Sequence, residues 1–144
     1  MIPLIVYSTN ISIINMAIGG LYWVSIMTGF KTNPRKRYYR KLLENPKIKL
    51  LHVLISLTLF IYGLIRMIAF NCDDYFLLFS FFYFVLLLPI DYIYRKYYKR
   101  TIILIFRHDF ELDGEMNIWD KLASVFILII PAGLSFLVGF LIVK

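Results

Sequence analysis

The sequence predicts an all-α protein: a single integral membrane bundle of four transmembrane helices joined by short loops. Three observations predict it. Of 144 residues, 60% are hydrophobic and only 17% are charged, whereas a soluble domain is nearer half apolar and a quarter charged. The mean hydropathy is +0.74, so the chain carries too little polar surface to cover itself in water. Four apolar runs each approach the roughly 20 residues that cross a hydrocarbon core. This profile excludes a disordered segment, a collagen-like repeat and a soluble enzyme. The single Cys72 has no internal partner, so no disulfide framework is possible.

The first run extends from about Ile11 to Phe30, with an apolar lead-in from Ile2 to Tyr7. Its first basic residue, Lys31, follows the run, whereas a secretory signal needs a basic region before it. It is therefore expected to be a retained helix. The remaining runs are Leu50 to Phe70, Tyr75 to Tyr94 and Leu122 to Val143. A membrane barrel would alternate with period two over roughly ten-residue segments. Phe76-Leu77-Leu78-Phe79 and Leu86-Leu87-Leu88 do not alternate.

The segments between these spans set the expected orientation. Residues 31–49 and 95–121 hold 14 of the 16 basic residues, leaving Arg66 and Lys144. Cytoplasmic loops are enriched in Lys and Arg, so both segments are expected in the cytoplasm and both termini outside. The site would be a bacterial inner membrane or another cytoplasm-facing membrane. The turn Asn71-Cys72-Asp73-Asp74 would lie outside. The net charge of +7 is then a topology signal, and no nucleic-acid partner is expected. Tyr38, Tyr39, Tyr92, Tyr94, Tyr97 and Tyr98 suit an inner aromatic belt. Segment 31–49 is expected to form a short interfacial helix, opened by Asn33-Pro34 and stopped by Asn45-Pro46. Its Tyr38, Tyr39, Leu42 and Leu43 would rest on the bilayer, with its cations toward anionic lipid headgroups.

Ionisable and polar residues at membrane depth are costly and need partners. Arg66 stands six residues beyond the midpoint of its span, roughly 9 Å toward the outside. Asn15 and Ser80 fall at similar depth. The three could form an outward-facing polar site or ion path with Asp73 or Asp74. Alternatively, Arg66 snorkels to the interface and pairs with its own turn. His52 and Asp91 lie near the cytoplasmic ends of spans two and three, at depths that an antiparallel hairpin would bring together. They read as an acid/base pair or proton relay, or as two wetted residues at headgroup level. Small residues, namely Ser12, Asn15, Gly19 and Gly20 in span one and Ala132, Ser135 and Gly139 in span four, suggest that these helices touch. Pro131 is expected to bend span four. Phe76, Phe79, Phe81, Phe82 and Phe84 give span three a bulk that suits lipid or a partner subunit.

One segment carries a chemical signature. The twelve residues from Asp109 to Asp120 resemble the calcium loop of EF-hand proteins, D-x-[DN]-x-[DN]-G-x5-E. The resemblance implies Ca2+ bound by Asp109, Glu111, Asp113, the Glu115 carbonyl, Asn117 and Asp120, with Gly114 at the sharp turn. The pattern departs at Glu111 in the third position, Met116 in the eighth and Asp120 in the twelfth. The loop is single, where EF-hands normally pair. It could be entered by a helical extension of span three through Thr101 to His108. The same residues also read as an acidic linker turning at Asp113-Gly114, or as a β-hairpin following the β-rich stretch from Thr101 to Phe106. No other cofactor is suggested.

The sequence lacks G-x-S-x-G, a Walker loop, H-E-x-x-H and CxxC. The function expected by exclusion is that of a small non-catalytic multi-pass protein acting through lipid, a membrane protein partner or a homo-oligomer: a membrane subunit, protector or effector. Two alternatives stand beside it. One is an oligomeric conduit or pore using Arg66, Asn15 and Ser80. The other is a membrane-embedded enzyme acting on lipid, with His52, Asp91, His108 and Asp109.

Overall fold

A computed structural model describes residues 2–28, 38–104 and 117–143, with side chains from residue 11 onward in the first of these stretches. The described chain is helical: α1 (Ile2–Thr28), α2 (Tyr38–Glu44), α3 (Pro46–Phe70), a 3-10 turn (Tyr75–Leu78), α4 (Phe79–Tyr98) and α5 (Ile118–Ile142). No strand occurs among the described residues. Three helical stretches, Pro46–Phe70, Tyr75–Tyr98 and Ile118–Ile142, are long and apolar enough to cross a membrane. Ile11–Met27 is a shorter apolar stretch within α1.

Caps, not hydropathy, set the helix ends. α3 begins four residues before its apolar run because Asn45 Oδ1 accepts from the Lys47 and Ile48 N–H groups at 3.0 and 3.3 Å, with Pro46 in the first turn. It stops at Asn71, whose left-handed backbone (φ 51°) sends its N–H to the Met67 carbonyl at 3.0 Å. α5 likewise begins before its apolar run. Asn117 Oδ1 accepts from the Asp120 N–H at 3.0 Å, and Asp120 Oδ2 accepts from the Asn117 N–H at 3.0 Å, a reciprocal capping box. The helical assignment runs through Pro89 in α4 and Pro131 in α5.

The 3-10 turn is the meeting point of three helices. A Cβ added to Gly19 of α1 would stand 2.6 Å from the Phe76 carbonyl oxygen. One on Gly63 of α3 would stand 3.1 Å from Leu77 Cβ, and one on Gly139 of α5 would stand 3.2 Å from Tyr75 Cβ. This corrects the expected pairing of small residues. The glycines of spans one and four admit the backbone and aromatics of the turn rather than each other.

The apolar core lies toward the opposite end. Tyr83, Phe84, Leu87 and Tyr94 of α4 pack there with Ile26 and Met27 of α1, Tyr39, Leu42 and Leu43 of α2, and Ile127 of α5. Two expectations are corrected. Tyr39, Leu42 and Leu43 of α2 are buried in the protein core rather than resting on a bilayer, while Lys41 and Glu44 on its other side are exposed. The aromatic span is also the most buried of the three candidate spans. Phe79 and Phe84 are interior, and Phe81 and Phe82 pack on Phe60 of α3 with ring centroids 4.3 and 5.7 Å away.

After Tyr98 the chain reverses through Lys99 in the left-handed region (φ 56°). Residues Thr101 to Leu104 belong to no helix or strand, so α4 does not continue as a helix through the described part of that segment. Ile102 and Leu104 are fully buried in the core. Non-helical backbone in an apolar interior needs partners for its polar groups, and three side chains supply them, as described below.

Candidate functional site

Two polar centres lie at opposite ends of the bundle. The first joins Asn15, Arg66 and Asp74. Asp74 is held by a tight turn, its N–H on the Cys72 carbonyl at 2.9 Å and its own carbonyl accepting from the Leu77 N–H at 3.1 Å. Its Oδ2 accepts from Arg66 Nε at 2.8 Å and from Asn15 Nδ2 at 3.1 Å. Asp74 is 1% exposed, Asn15 5% and Arg66 8%, so the pair is desolvated rather than wet. The guanidinium carbon also stands 5.4 Å from the Phe70 ring centroid. Asp73, the other carboxylate of the turn, is exposed. Ser80 is buried, and its Oγ has no hydrogen bond among the described residues. The depth argument places Asn15 and Arg66 together, and Asp74 is the residue that joins them.

The second centre secures the non-helical segment Thr101 to Leu104. Asp91 accepts from Arg95 Nε at 2.7 Å and from the Ile102 N–H at 3.1 Å. Arg95 Nη2 donates onward to the Leu43 carbonyl at 3.1 Å, tying the last turn of α2 to α4. The Tyr39 hydroxyl accepts from the Leu104 N–H at 2.9 Å. Ser124 Oγ donates to the Asp120 carbonyl at 2.6 Å and lies 3.3 Å from the Ile103 carbonyl. The Arg100 guanidinium forks onto the fully buried Asp120 carboxylate, at 3.2 Å through Nη1 and 2.6 Å through Nη2. That hydrogen bonding holds the Arg100 guanidinium above its ordinary pKa.

His52 and Asp91 have separate partners. The His52 ring sits between two hydroxyls, Tyr22 at 2.9 Å from Nδ1 and Tyr38 at 3.0 Å from Nε2. A neutral imidazole offers one donor and one acceptor, and a hydroxyl serves as either, so the trio links α1, α2 and α3 without Asp91.

Of the residues assigned to the calcium loop, Asp109, Glu111, Asp113 and Glu115 lie outside the described residues. Asn117 and Asp120 are described. Asn117 Oδ1 is occupied by the Asp120 N–H, and both Asp120 oxygens are occupied by Arg100, one of them also by the Asn117 N–H. Among the described residues, no three His, Cys, Asp or Glu side chains gather in a way that would hold a metal.

Some of these partners have sequence signals. Asp91 and Arg95 are spaced i,i+4 on a helix, and Asn117-x-x-Asp120 has the spacing of a capping box. Arg100 with Asp120 has none, because the chain must first reverse at Lys99. No family model matches the chain, and neither a curated protein nor a solved structure matches it.

Proposed function

We propose that this chain is an integral membrane protein whose four apolar helices, α1, α3, α4 with its preceding 3-10 turn, and α5, cross the bilayer. Both termini are outside, and segments 31–49 and 95–121 face the cytoplasm. It acts without catalysis, as a membrane subunit, protector or effector that contacts lipid and a membrane partner. One observation carries the reading: large apolar side chains stand exposed along the helices while charged side chains are buried in ion pairs between them. Large apolar side chains are exposed along α3 (Ile65 56%, Ile68 70%) and α5 (Leu141 66%, Phe140 82%), while Asp74, Asp91 and Asp120 are buried on their cations. Water would not favour that distribution, whereas lipid tails would.

The buried charges also favour this reading over a conduit or a lipid-acting enzyme. Asp74 and Asp91 each hold an arginine, although Asp74 Oδ1 and Arg66 Nη2 have no hydrogen-bond partner among the described residues, and the His52 ring lies between two tyrosine hydroxyls. Cysteine labelling tests the topology. In a Cys72→Ser background, Asp73→Cys should react with an impermeant thiol reagent in intact cells, and Lys99→Cys only after permeabilisation. The reverse pattern would overturn the orientation. Purification in mild detergent tests the role: a membrane protein retained at fixed stoichiometry is expected. Reproducible conductance of the purified chain in liposomes would instead establish the conduit.

A further inference from the structure

A groove of about 400 Å³ runs between the end of α4 and the start of α5. Its two walls are antiparallel, since Arg100 meets Asp120 at one end and Phe79 meets Phe136 at the other. The groove therefore has a graded lining. Ile90, Ile93 and Phe126 lie toward the middle of the bundle, while Tyr97, Tyr98 and Trp119 lie toward the basic end. Cations stand over that aromatic end. Lys96 Nζ is 5.9 Å from the Tyr97 ring centroid, and the Arg100 guanidinium carbon is 5.8 and 5.9 Å from those of Tyr94 and Tyr98. The charge of Arg100 is already matched by Asp120, whereas Lys96 is exposed against Tyr97, and Lys99 and Lys121 are exposed on the same end of the two helices without lining the groove.

We infer that this groove is a binding site for one phospholipid with an anionic headgroup. The inference rests on the membrane reading above. An acyl chain fits the aliphatic half. Tyrosine and tryptophan, apolar bodies with a polar tip, suit the level of the ester and phosphate groups. Lys96, over the aromatic end, matches an anionic headgroup in charge and position, and Lys99 and Lys121 add positive charge to the same end of the two helices. A zwitterionic lipid would satisfy the apolar half but leave the lysine charges without a net counter-charge.

Trp119 lines the groove and is one of only two tryptophans, so Trp23→Phe makes it a sole reporter. The full chain carrying Trp23→Phe is reconstituted in phosphatidylcholine vesicles, with brominated phosphatidylglycerol or brominated phosphatidylcholine at equal mole fraction. Trp119 should be quenched as though the anionic lipid were enriched at least about five-fold, the effect of one lysine near a membrane surface. Lys96→Gln/Lys99→Gln/Lys121→Gln should bring the two lipids to parity, and Ala123→Phe, which fills the groove, should reduce quenching by both. A second reporter, Leu50→Trp in Trp23→Phe/Trp119→Phe, lies on exposed α3 near Lys47 and Lys49. It should be quenched by both lipids with less preference. Equal preference at the two reporters would reveal a diffuse basic field and overturn the site. A Trp119 shielded from both lipids while Leu50→Trp is quenched would show that protein covers the groove, either segment 105–116 or a second copy, and would also overturn it. If neither reporter is quenched, the membrane reading itself fails.

Discussion

Asp74 accepts hydrogen bonds from two different helices with one oxygen, and it does so almost without solvent. Its neighbours are therefore more sensitive than residues of an exposed turn. Removing one member of a buried ion pair leaves the other charge uncompensated, a cost of about 3–5 kcal/mol. Arg66→Leu and Asp74→Leu should each lower stability by about that amount, measured by unfolding in mixed micelles. The double change should lose much less than the two single losses together. Asn15→Leu removes a single hydrogen bond to a charged group and should cost about 1.5–3 kcal/mol. Near-silent single variants would instead describe an arginine that reaches water by snorkelling. The depth of Arg66 and Asn15 along their helices is legible from residue counting. The choice of Asp74 over Asp73 is not, because it depends on a turn that buries one carboxylate and exposes the next.

At the scale of elements, the 3-10 turn and the non-helical segment after α4 decide how the helices fit. Gly19 and Gly20 are adjacent in α1, yet only Gly19 backs onto another backbone. Gly19→Ala puts a methyl 2.6 Å from the Phe76 carbonyl oxygen, so a helix must shift. Overpacking of this kind costs about 1–3 kcal/mol. Gly20→Ala meets nothing within 4 Å and should be neutral or stabilising, by up to about 1 kcal/mol from helix propensity. Equal thermal shifts for the two variants in detergent would argue against the turn as the packing point. The segment after α4 behaves as core. Leu104→Ala should cost about 2–5 kcal/mol, and Tyr39→Phe should cost roughly 1–3 kcal/mol by stripping the Leu104 N–H of its acceptor. Hydropathy reads Thr101 to Leu104 as loop or strand. It does not reveal that the segment folds back beneath α2, since the three side chains that satisfy its backbone come from α2, α4 and α5.

At the scale of the molecule, the exposed apolar circumference predicts behaviour that a soluble bundle would not show. The expressed protein should stay in the membrane pellet through alkaline carbonate extraction and should leave it only with detergent. Release by carbonate alone would remove the bilayer reading. The distribution of charge is also organised at this scale. Arg95, Lys96, Lys99 and Arg100 cluster at the end of α4, which Arg95 ties to the last turn of α2, and two of these cations, Arg95 and Arg100, also brace the interior through Asp91 and Asp120. The basic end is thus both a charged surface and a structural clamp.

Composition and run length by themselves determined the helical class and the positions of the long apolar helices, because an unbroken apolar run of about twenty residues satisfies its own backbone as a helix and has the length of a span. Asn45-Pro46, Asn71 and Asn117 with Asp120 likewise mark real helix ends, since a cap is a local hydrogen bond between near neighbours. Tertiary structure decided the rest: that α4 is central with Phe79 and Phe84 facing inward, that α2 buries Tyr39, Leu42 and Leu43, that Gly19, Gly63 and Gly139 converge on one turn, and that His52 pairs with tyrosines rather than with Asp91. Each of these depends on which residues distant in the chain become neighbours. An apolar helix gives little sign of that choice, because its lipid-facing and protein-facing sides are built from the same side chains.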